Sequence, residues 1–323
     1  MMAVFVVLSI AMPSKFLTGI NLQSMASQFP EFGLLALAMM MAMITGGIDL
    51  SVVSVSNFTG VVAALILSGS LESSTPVGVA VLLAVLAVIG VSVLCGLANG
   101  LLIAGIGVPP ILATLGTQGL FLGLAIVITK GHSVSGFPEE FMTLGSGTVL
   151  GIPVPFIIFI IFAFLVAVLL KRTRQGFNMY MVGSNPTVAR FSGVNNTKVL
   201  INTYILTAVL AGFASLIMIS RANSMRPGYG TAYLLQAILV AVLGGTDPDG
   251  GFGTVKGLVM GIIILQITQS GLNIMSFSPF FKKFIWGFAL LAIMVINYLV
   301  HKYNERKRVM EMNKSKAAVQ AAG

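Results

Sequence analysis

The stretch GIPVPFIIFIIFAFLVAVLLKRTR, residues 151–174, places a long apolar run directly before a basic cluster. A helix that crosses a bilayer needs roughly 20 apolar residues, and runs of this kind recur along the whole chain. In hydrocarbon every backbone polar group must be hydrogen-bonded within the protein, so a spanning segment belongs to a helix or to a closed barrel. The runs are continuous and do not alternate with polar residues. The sequence therefore predicts an all-α, polytopic membrane protein.

The composition supports this class. Charged residues make up 8% of the chain, hydrophobic residues 57%, and the mean hydropathy is +1.01, whereas soluble domains carry about 25% charged residues. The net charge of +9 comes from basic residues at helix ends and in the tail. That placement is typical of membrane orientation and argues against a nucleic-acid partner. Cys95 is the single cysteine, so no internal disulfide is possible.

The apolar runs predict about ten spans. Their expected ranges are 1–19, 31–45, 50–68, 77–106, 109–129, 151–170, 199–220, 232–245, 254–272 and 280–300. The runs 31–45 and 232–245 are short for a bilayer. The first run is also short, so either the start is truncated or the helix continues through Pro13 to Leu17. We expect residues 1–300 to form the membrane domain and residues 301–323 a basic tail.

Basic residues between the spans predict the orientation. The loop Lys171–Lys198 has five basic residues and no acid, and the tail from His301 has six basic and two acidic residues. Cytoplasmic loops of membrane proteins are rich in Lys and Arg. We therefore expect this loop and both termini of the multi-pass protein to be cytoplasmic. Alternation then places the segments 69–76 and 131–150 outside.

A short motif occurs twice. AMITGGIDLS (Ala42–Ser51) and AVLGGTDPDGG (Ala241–Gly251) each end an apolar run with Gly-Gly-x-Asp and precede another span, which suggests a duplication. Asp49 has two interpretations. It caps the next helix by accepting from the N–H of Ser51 or Val52, or it lines a translocation path, since ionisable residues at membrane depth are usually functional. The same choice holds for Asp247.

Uncharged polar residues inside the spans are further candidates. They would hydrogen-bond either a polyhydroxylated cargo or a neighbouring helix. Together with the duplicated motif, the candidates for the path or for helix capping are Asp49, Ser51, Asn99, Gln118, Thr246, Asp247 and Asn273. The pairs Gly96–Gly100 and Gly119–Gly123 have the spacing that permits close helix packing, within the chain or between copies.

No motif indicates catalysis or a cofactor. GGFGTVKG (Gly250–Gly257) has the glycines of a phosphate loop but the wrong spacing. With one cysteine and the distant histidines His132 and His301, no metal cluster or catalytic triad can be assembled from the sequence. We expect no enzyme activity and no cofactor on this chain. If ATP drives the protein, another chain binds it.

The loop YMVGSNPTVARFSGVNNTK (Tyr180–Lys198) contains a short helix-like stretch between Gly183 and Gly193. Ser184 or Asn185 would cap it, and Pro186 suits its first turn. Two interpretations remain open for this loop: a solvated connector that serves orientation, and a helix on which a cytoplasmic partner docks.

Several collinear motifs resemble the permease subunits of bacterial ABC importers for monosaccharides, the family of the ribose, xylose, arabinose, galactofuranose and autoinducer-2 systems. The resemblance covers nearly the whole chain. It is carried by GGIDLSVVSVSNFTG (46–60), VPPILATLGT (108–117), VGSNPTVARFSGVN (182–195), AVLGGTDPDGGFGTVKG (241–257) and QSGLNIM (269–275). The family usually has Gly-Gly-Asn where Gly183, Ser184 and Asn185 stand, and Gly where Val53 stands.

This resemblance implies about ten helices in a vitamin-B12-permease-like arrangement in the bacterial inner membrane. It also implies a second permease subunit, identical or paralogous, two cytoplasmic ATPase subunits that hold ATP and Mg²⁺, and an extracytoplasmic binding protein that delivers a small sugar. The segment that resembles the family's ATPase-coupling region contains Gly183, Ser184, Asn185, Thr187, Arg190 and Gly193.

Two other classes remain open. An ion-coupled secondary transporter would work without an ATPase and needs ionisable groups near the middle of the membrane. The sequence offers only the two Gly-Gly-x-Asp sites, which the alternation places near one face. A membrane subunit for assembly or sensing would have no path of its own.

Overall fold

The computed structural model describes Phe16, residues 18–72 and residues 76–322. The expected first span, residues 1–19, lies almost wholly outside these described residues. The helices are α1 (Gly19–Ile44), α2 (Val52–Glu72), α3 (Val77–Gly100), α4 (Pro110–Thr129), α5 (Glu139–Ser146), α6 (Val154–Arg172), α7 (Arg174–Ser184), α8 (Pro186–Phe191), α9 (Asn196–Ala222), α10 (Ala232–Leu243), α11 (Val255–Ile274) and α12 (Pro279–Ala322). Helix α3 continues as a π-helical segment, Leu101–Ile106.

In the part of the chain that the structure describes, four two-residue strands form two small antiparallel ladders. They are β1 (Val134–Ser135), β2 (Thr148–Val149), β3 (Ile152–Pro153) and β4 (Ser224–Met225). Strand β1 pairs with β4, and β2 pairs with β3. All four lie in connections between long helices, so they add short ties to a mostly helical protein.

Among the described residues, eight helices are long and apolar enough to cross a membrane. They are α1, α2, α3 with its extension, α4, α6, α9, α11 and the first half of α12. This confirms a polytopic helical membrane protein. Helix α10 has 12 residues and is about 18 Å long at 1.5 Å per residue, well short of a hydrocarbon core of roughly 30 Å. Irregular backbone flanks it at both ends, which proteins tolerate at membrane depth where it is buried.

Helix α1 corrects the predicted start of the second span. A span over 31–45 alone would be too short, but the helix begins at Gly19 and has 26 residues. Thr18 caps it by accepting from the N–H of Asn21 at 3.3 Å. Some polar residues of its first turns bond within the helix, as when the Gln28 side chain donates to Ser24 Oγ at 2.7 Å. Asn21 instead accepts from the Ser270 hydroxyl of α11 at 2.9 Å. Because these first turns are polar, hydrophobicity alone did not predict that the helix begins there.

Helices α1 and α9 form the centre of the molecule. From Phe29 to Ile44 every residue of α1 is buried, as expected for a helix that from Phe32 onward is apolar on all sides. It packs against α6, α9, α10 and α11. Helix α9 also crosses α3 at very close range, because a Cβ on Gly96 or Gly100 would lie 2.6 or 2.7 Å from the Cα atoms of Ile205 and Ile201.

Gly119 and Gly123 differ, since a Cβ at either would meet no atom within 4 Å. Within the described part of the chain this pair therefore packs against nothing. Helix α12 is also peripheral, with only 6% of its spanning window buried. It continues without a break past Val300 to Ala322, so no change of secondary structure marks the expected start of the tail.

The connections between helices gather at two ends. At one end lie the turn 45–51, the loop 107–109, helices α7 and α8, and the turn 244–254; we call this the α7–α8 end. At the other end lie α5, both strand ladders and the segment 223–231; we call this the strand-bearing end. Gly145 of α5 contacts the backbone of Ser220 and Arg221 there. Because successive long helices run between the two ends, both Gly-Gly-x-Asp turns share the α7–α8 end.

Candidate functional site

The two Gly-Gly-x-Asp turns end their helices in the same way. After α1, Gly46 has φ +82° and the N–H of Gly47 donates to Ala42 O at 3.2 Å. After α10, Gly245 has φ +82° and the N–H of Thr246 donates to Ala241 O at 2.9 Å. Both are helix ends of the Schellman type, in which a left-handed glycine turns the chain.

When the two turns are aligned by their left-handed glycines, the alignment differs by one residue from the one that matches the Gly-Gly-x-Asp motifs. The left-handed glycine is the first of its pair in one turn, Gly46, and the second in the other, Gly245. Asp49 therefore lies three residues beyond its left-handed glycine and Asp247 only two. For this reason the two aspartates occupy different positions. Asp247 accepts from the N–H of Asp249 at 3.0 Å within its own loop, while Thr254 caps the next helix, α11.

Asp49 is buried, with 1% of its surface exposed. Its Oδ1 accepts from the Ser51 N–H at 3.0 Å and from the Ser51 hydroxyl at 2.6 Å. Its Oδ2 accepts from the Thr207 hydroxyl of α9 at 3.3 Å. No Lys or Arg among the described residues forms an ion pair with it. Hydroxyl and N–H donors within the chain thus hold this carboxylate at the start of α2.

The polar contacts continue from Ser51 into two more helices. Asn99 of α3 donates its Nδ2 to the Ser51 hydroxyl at 2.8 Å and accepts from the Thr117 hydroxyl of α4 at 2.7 Å. Thr114, also on α4, accepts from the Leu50 N–H at 3.1 Å. Ser51, Asn99 and Thr117 are all buried. This network joins the turn after α1 to α2, α3, α4 and α9, and buried polar networks of this kind fix one arrangement of their elements.

Other candidates lie outside this network. Gln118 is half-buried on α4, next to Thr117. Asn273 is exposed at the far end of α11, where its Oδ1 accepts from Lys282 Nζ. Thr246 is buried in the second turn, and its hydroxyl has no hydrogen-bond partner among the described residues. The structure therefore brings together Asp49, Ser51 and Asn99, but not Gln118 or Asn273.

Glycines form a junction between α7 and both turns. The N–H of Gly251 donates to Ile44 O, the last residue of α1, at 2.9 Å. A Cβ on Gly183 of α7 would overlap that same carbonyl oxygen. A Cβ on Gly250 would lie 2.8 Å from both Gly46 Cα and Gly183 O. We call Gly46, Gly183, Gly250 and Gly251 the glycine junction; there the backbones of three segments touch directly.

Helices α7 and α8 carry many exposed residues at this end. Asn185 separates them and caps α8 by accepting from the N–H groups of Thr187 and Val188, each at 3.0 Å. Gly193 has φ +83° and turns the chain toward α9. Thr187 and Arg190 are exposed, and Ser184 is exposed beside Gly251. The segment that resembles a coupling region is thus exposed on the surface, while its residue Gly183 contacts both turns.

Apolar side chains on this surface were not singled out from the sequence. Phe177 is 64% exposed, Val188 56% and Phe191 89%. A groove of about 240 Å³ runs beside them, lined in part by Phe177, Met181 and Val188. Large apolar residues in an otherwise polar loop are the signal that could have found them, because such patches mark interaction sites.

A buried acid was also missed. Glu31 of α1 has no exposed surface, and its Oε1 pairs with Arg221 Nε at the end of α9. Tyr233 of α10 donates its hydroxyl to Glu31 Oε2 at 2.8 Å. This cluster ties three helices together near the strand-bearing end. In the sequence, Glu31 and Arg221 each lie at one edge of an apolar run. Because they are 190 residues apart, their pairing could not be predicted without the fold.

A family described as branched-chain amino acid transport system / permease component matches residues 21–294. The chain belongs to this permease family. The ribose import permease protein RbsC of Bacillus subtilis (strain 168) is 34% identical over 295 residues, which cover 90% of this chain and 88% of that protein. The autoinducer 2 import system permease protein LsrD of Yersinia enterocolitica serotype O:8 / biotype 1B (strain NCTC 13174 / 8081) is 31% identical over 295 residues, with 87% and 86% covered. No solved structure matches the chain.

These matches confirm the resemblance to permease subunits of ABC importers for monosaccharides. They also agree with the eight apolar helices, so the chain is a multi-pass membrane permease. Family membership says nothing about the role of any single residue. The roles of the Asp49 network and of the α7–α8 surface stay predictions.

Proposed function

We propose that this chain is the membrane-spanning subunit of an ATP-driven importer that moves a small sugar into the cell. ATP and Mg²⁺ are bound by separate ATPase subunits, and an extracytoplasmic binding protein delivers the cargo. The chain works with a second permease subunit, a copy or a paralogue, in the bacterial inner membrane. Its full set of about ten spans adopts a vitamin-B12-permease-like arrangement with both termini in the cytoplasm.

The observation that carries this proposal is the α7–α8 surface. It presents apolar side chains and Arg190 outward, and it rests on both helix-ending turns through the glycine junction. A partner that moves α7 therefore moves the ends of α1 and α10 with it. Alternating access requires such rigid transmission between a driving subunit and the spans.

The cargo class rests on the relatives. Permeases named for ribose and for autoinducer 2 align over nearly the whole chain. The family description names branched-chain amino acids, which makes an amino acid the second candidate cargo. We favour a neutral polyhydroxylated cargo, because the relatives reported above, aligned over 86–88% of their length, belong to a ribose system and an autoinducer 2 system.

Co-purification from native membranes in mild detergent, followed by mass spectrometry of every associated chain, tests the proposal. We expect an ATPase subunit and a sugar-binding protein, and a second permease sequence would distinguish a heterodimer from a homodimer. Recovery of the chain alone, with uptake still reconstituted, would instead support the secondary transporter. If an amino-acid-binding protein co-purifies instead, the cargo is an amino acid, which is the second candidate.

A further inference from the structure

Three basic residues lie close together where α6 ends and α7 begins. Lys171 and Arg172 belong to the last turn of α6, and Arg174 is the first residue of α7. All three are exposed, and among the described residues none of their side chains forms an ion pair or a hydrogen bond. We call these three residues the basic corner. Its positive charges have no partner within the described part of the chain.

The turn between α6 and α7 fixes the backbone of the basic corner. The Thr173 hydroxyl donates to Leu169 O at 2.6 Å and accepts from the Gly176 N–H at 3.2 Å, so one side chain joins the two helices. A Cβ on Gly176 would overlap Leu169 O, which shows how closely the start of α7 approaches the end of α6. On the other side, Gln175 donates to Val199 O of α9 at 3.0 Å. The basic corner is therefore held against two spanning helices.

The length of α6 places the basic corner at the depth of the lipid headgroups. The helix has 19 residues and is about 28 Å long at 1.5 Å per residue, close to the thickness of a hydrocarbon core of roughly 30 Å. From Val154 to Leu170 it contains no charged residue. The apolar part of α6 therefore fills the core, and the basic residues of its last turn lie at the core boundary, where lipid phosphate groups also lie.

An exposed apolar stripe on α6 leads to the basic corner. Its residues are Ile160, Phe164 and Val168, and we call them the apolar stripe. Lys171 lies on the same face, because it is three residues after Val168 and seven after Phe164. The opposite face, which includes the buried Phe159, packs against α1. From Ile160 to Lys171 the helix rises about 16 Å, roughly the depth of one leaflet.

The charge and the apolar stripe together restrict what binds here. The loop Lys171–Lys198 contains no acid, so the basic corner attracts an anion, and Lys and Arg form strong charge-assisted hydrogen bonds to phosphate oxygens. A soluble anion would leave the apolar stripe without a partner. A zwitterionic lipid would bring its own cation beside the phosphate. An anionic phospholipid matches both parts of the surface.

We propose that α6 and the basic corner form a binding site for one anionic phospholipid of the leaflet at the α7–α8 end. The three basic side chains hold its phosphate, and one acyl chain lies along the apolar stripe. Basic residues beside spanning helices recognise anionic headgroups in this way. Because the basic corner includes residues of both α6 and α7, the bound headgroup favours one position of α7 relative to α6.

The consequence for transport rests on the proposed function. If an ATPase moves α7, this movement changes the contacts of the headgroup, so the rate of uptake depends on the proportion of anionic lipid in the membrane. Loss of the basic corner should remove that dependence. The lipid site itself requires no ATPase.

Native mass spectrometry of the delipidated full chain in detergent tests the site, because it resolves the binding of single lipids. The probes are dioleoylphosphatidylglycerol, which is anionic, and dioleoylphosphatidylcholine, which has the same acyl chains and no net charge. The site variant removes the basic corner through Lys171→Gln, Arg172→Gln and Arg174→Gln. The matched control removes three exposed positive charges at the strand-bearing end through Lys130→Gln, Arg226→Gln and Lys283→Gln.

We expect phosphatidylglycerol to bind at least tenfold more tightly than phosphatidylcholine. The site variant should lose most of this preference, since each basic residue near an anionic surface contributes about fivefold in affinity, and the control should retain it. Arg174→Gln alone should lower the affinity about fivefold. It decides the question if the site variant does not insert correctly, because Arg174 lies outside the span. Glycerol phosphate, which has the charge of the headgroup but no acyl chain, should not compete.

Equal affinities for the two lipids would overturn the proposal. An unchanged preference in the site variant would also overturn it, because the lipid would then bind elsewhere, and full competition by glycerol phosphate would reveal an anion site without a lipid. A site variant that keeps the lipid preference but no longer co-purifies with an ATPase would assign the basic corner to that partner. The lipid measurement uses the chain alone, so failure to find an ATPase would remove the proposed function without affecting this result.

Discussion

At the scale of single residues, Asp49 has several donors committed to it. Asp49→Ala leaves the Ser51 N–H, the Ser51 hydroxyl and the Thr207 hydroxyl without this acceptor. We expect a loss of about 1–3 kcal/mol in unfolding free energy for each donor that finds no new partner. Asp49→Asn should cost less, because the amide oxygen still accepts. Thermal unfolding in detergent, followed through Trp286 as the only tryptophan, measures both.

Asp249→Ala is the matched control, because that side chain is exposed in the second turn. It should leave the unfolding midpoint nearly unchanged. Equal midpoints for Asp49→Ala and Asp249→Ala would show that the hydrogen bonds to Asp49 contribute nothing measurable.

The Glu31–Arg221 pair allows a second test at this scale. Glu31→Gln leaves Arg221 near a neutral amide, and breaking a buried ion pair from one side typically costs about 3–5 kcal/mol. We expect a marked fall in the unfolding midpoint, with partial recovery in the double variant Glu31→Gln, Arg221→Gln, because no unpaired charge then remains.

Arg226→Gln is the control, since Arg226 is exposed in the nearby segment 223–231. It should have little effect. If the double variant loses as much unfolding free energy as Glu31→Gln and Arg221→Gln lose together, the two side chains act independently.

At the scale of elements, the glycine junction gives the sharpest prediction. Gly183→Ala places a methyl group against the carbonyl of Ile44 at the end of α1. Because backbone atoms cannot shift as a flexible side chain does, α7 must move away from the turns. We expect ATP hydrolysis by the associated ATPase to persist while uptake falls at least tenfold, and the ratio of ATP hydrolysed to cargo transported measures this.

Gly116→Ala on α4 is the control, because a Cβ there meets no atom within 4 Å. It should be neutral or slightly stabilising, since alanine favours helices over glycine by about 1 kcal/mol. Unchanged coupling in Gly183→Ala would mean that movement reaches the spans by another route.

The α8 surface gives a separate prediction. Arg190→Glu reverses the charge on the exposed face of α8 without disturbing a described hydrogen bond of that side chain. We expect the fold to remain intact and association with the ATPase to weaken at least tenfold, as measured by co-purification. Lys198→Glu makes the same charge change in the same loop, on the first turn of α9, and should have a smaller effect.

Normal uptake together with normal ATPase association in Arg190→Glu would count against docking on α8. Equal losses in Arg190→Glu and Lys198→Glu would indicate a general effect of loop charge, since long-range charge effects do not depend on one position.

The sequence predicted individual helices better than their connections. Apolar runs located the spanning helices from α2 onward to within a few residues, because hydrophobicity is a local property; they did not predict the short helices α5 and α7, or that α12 continues from residue 300 to Ala322. The start of α1 was missed because its polar first turns resemble a loop, and the Gly-Gly-x-Asp repeat aligned one residue away from its structural match. The glycine junction could not be predicted, since its four glycines come from three segments that meet only in the folded chain.

At the scale of the whole molecule, the described residues have a buried centre and a large apolar periphery. Helix α12 and the outward faces of α3, α4 and α6 expose many large apolar side chains, among them Leu86, Leu120, Phe164 and Leu291. Lipid acyl chains are as apolar as these side chains, so the hydrophobic effect does not favour contact with a partner helix over contact with lipid. Composition predicted this membrane environment, but it could not say which faces meet lipid and which would meet the proposed second subunit.

In the proposed function, an ATPase that acts on α7 and α8 drives this permease. The most direct measurement is uptake of radiolabelled cargo into proteoliposomes that contain the chain, its co-purified partners and the binding protein, with and without Mg-ATP on the ATPase side. We predict uptake only with hydrolysable ATP, and its loss in Arg190→Glu. Uptake by the chain without ATPase, driven by an ion gradient and unaffected by Arg190→Glu, would show that this permease is a secondary transporter.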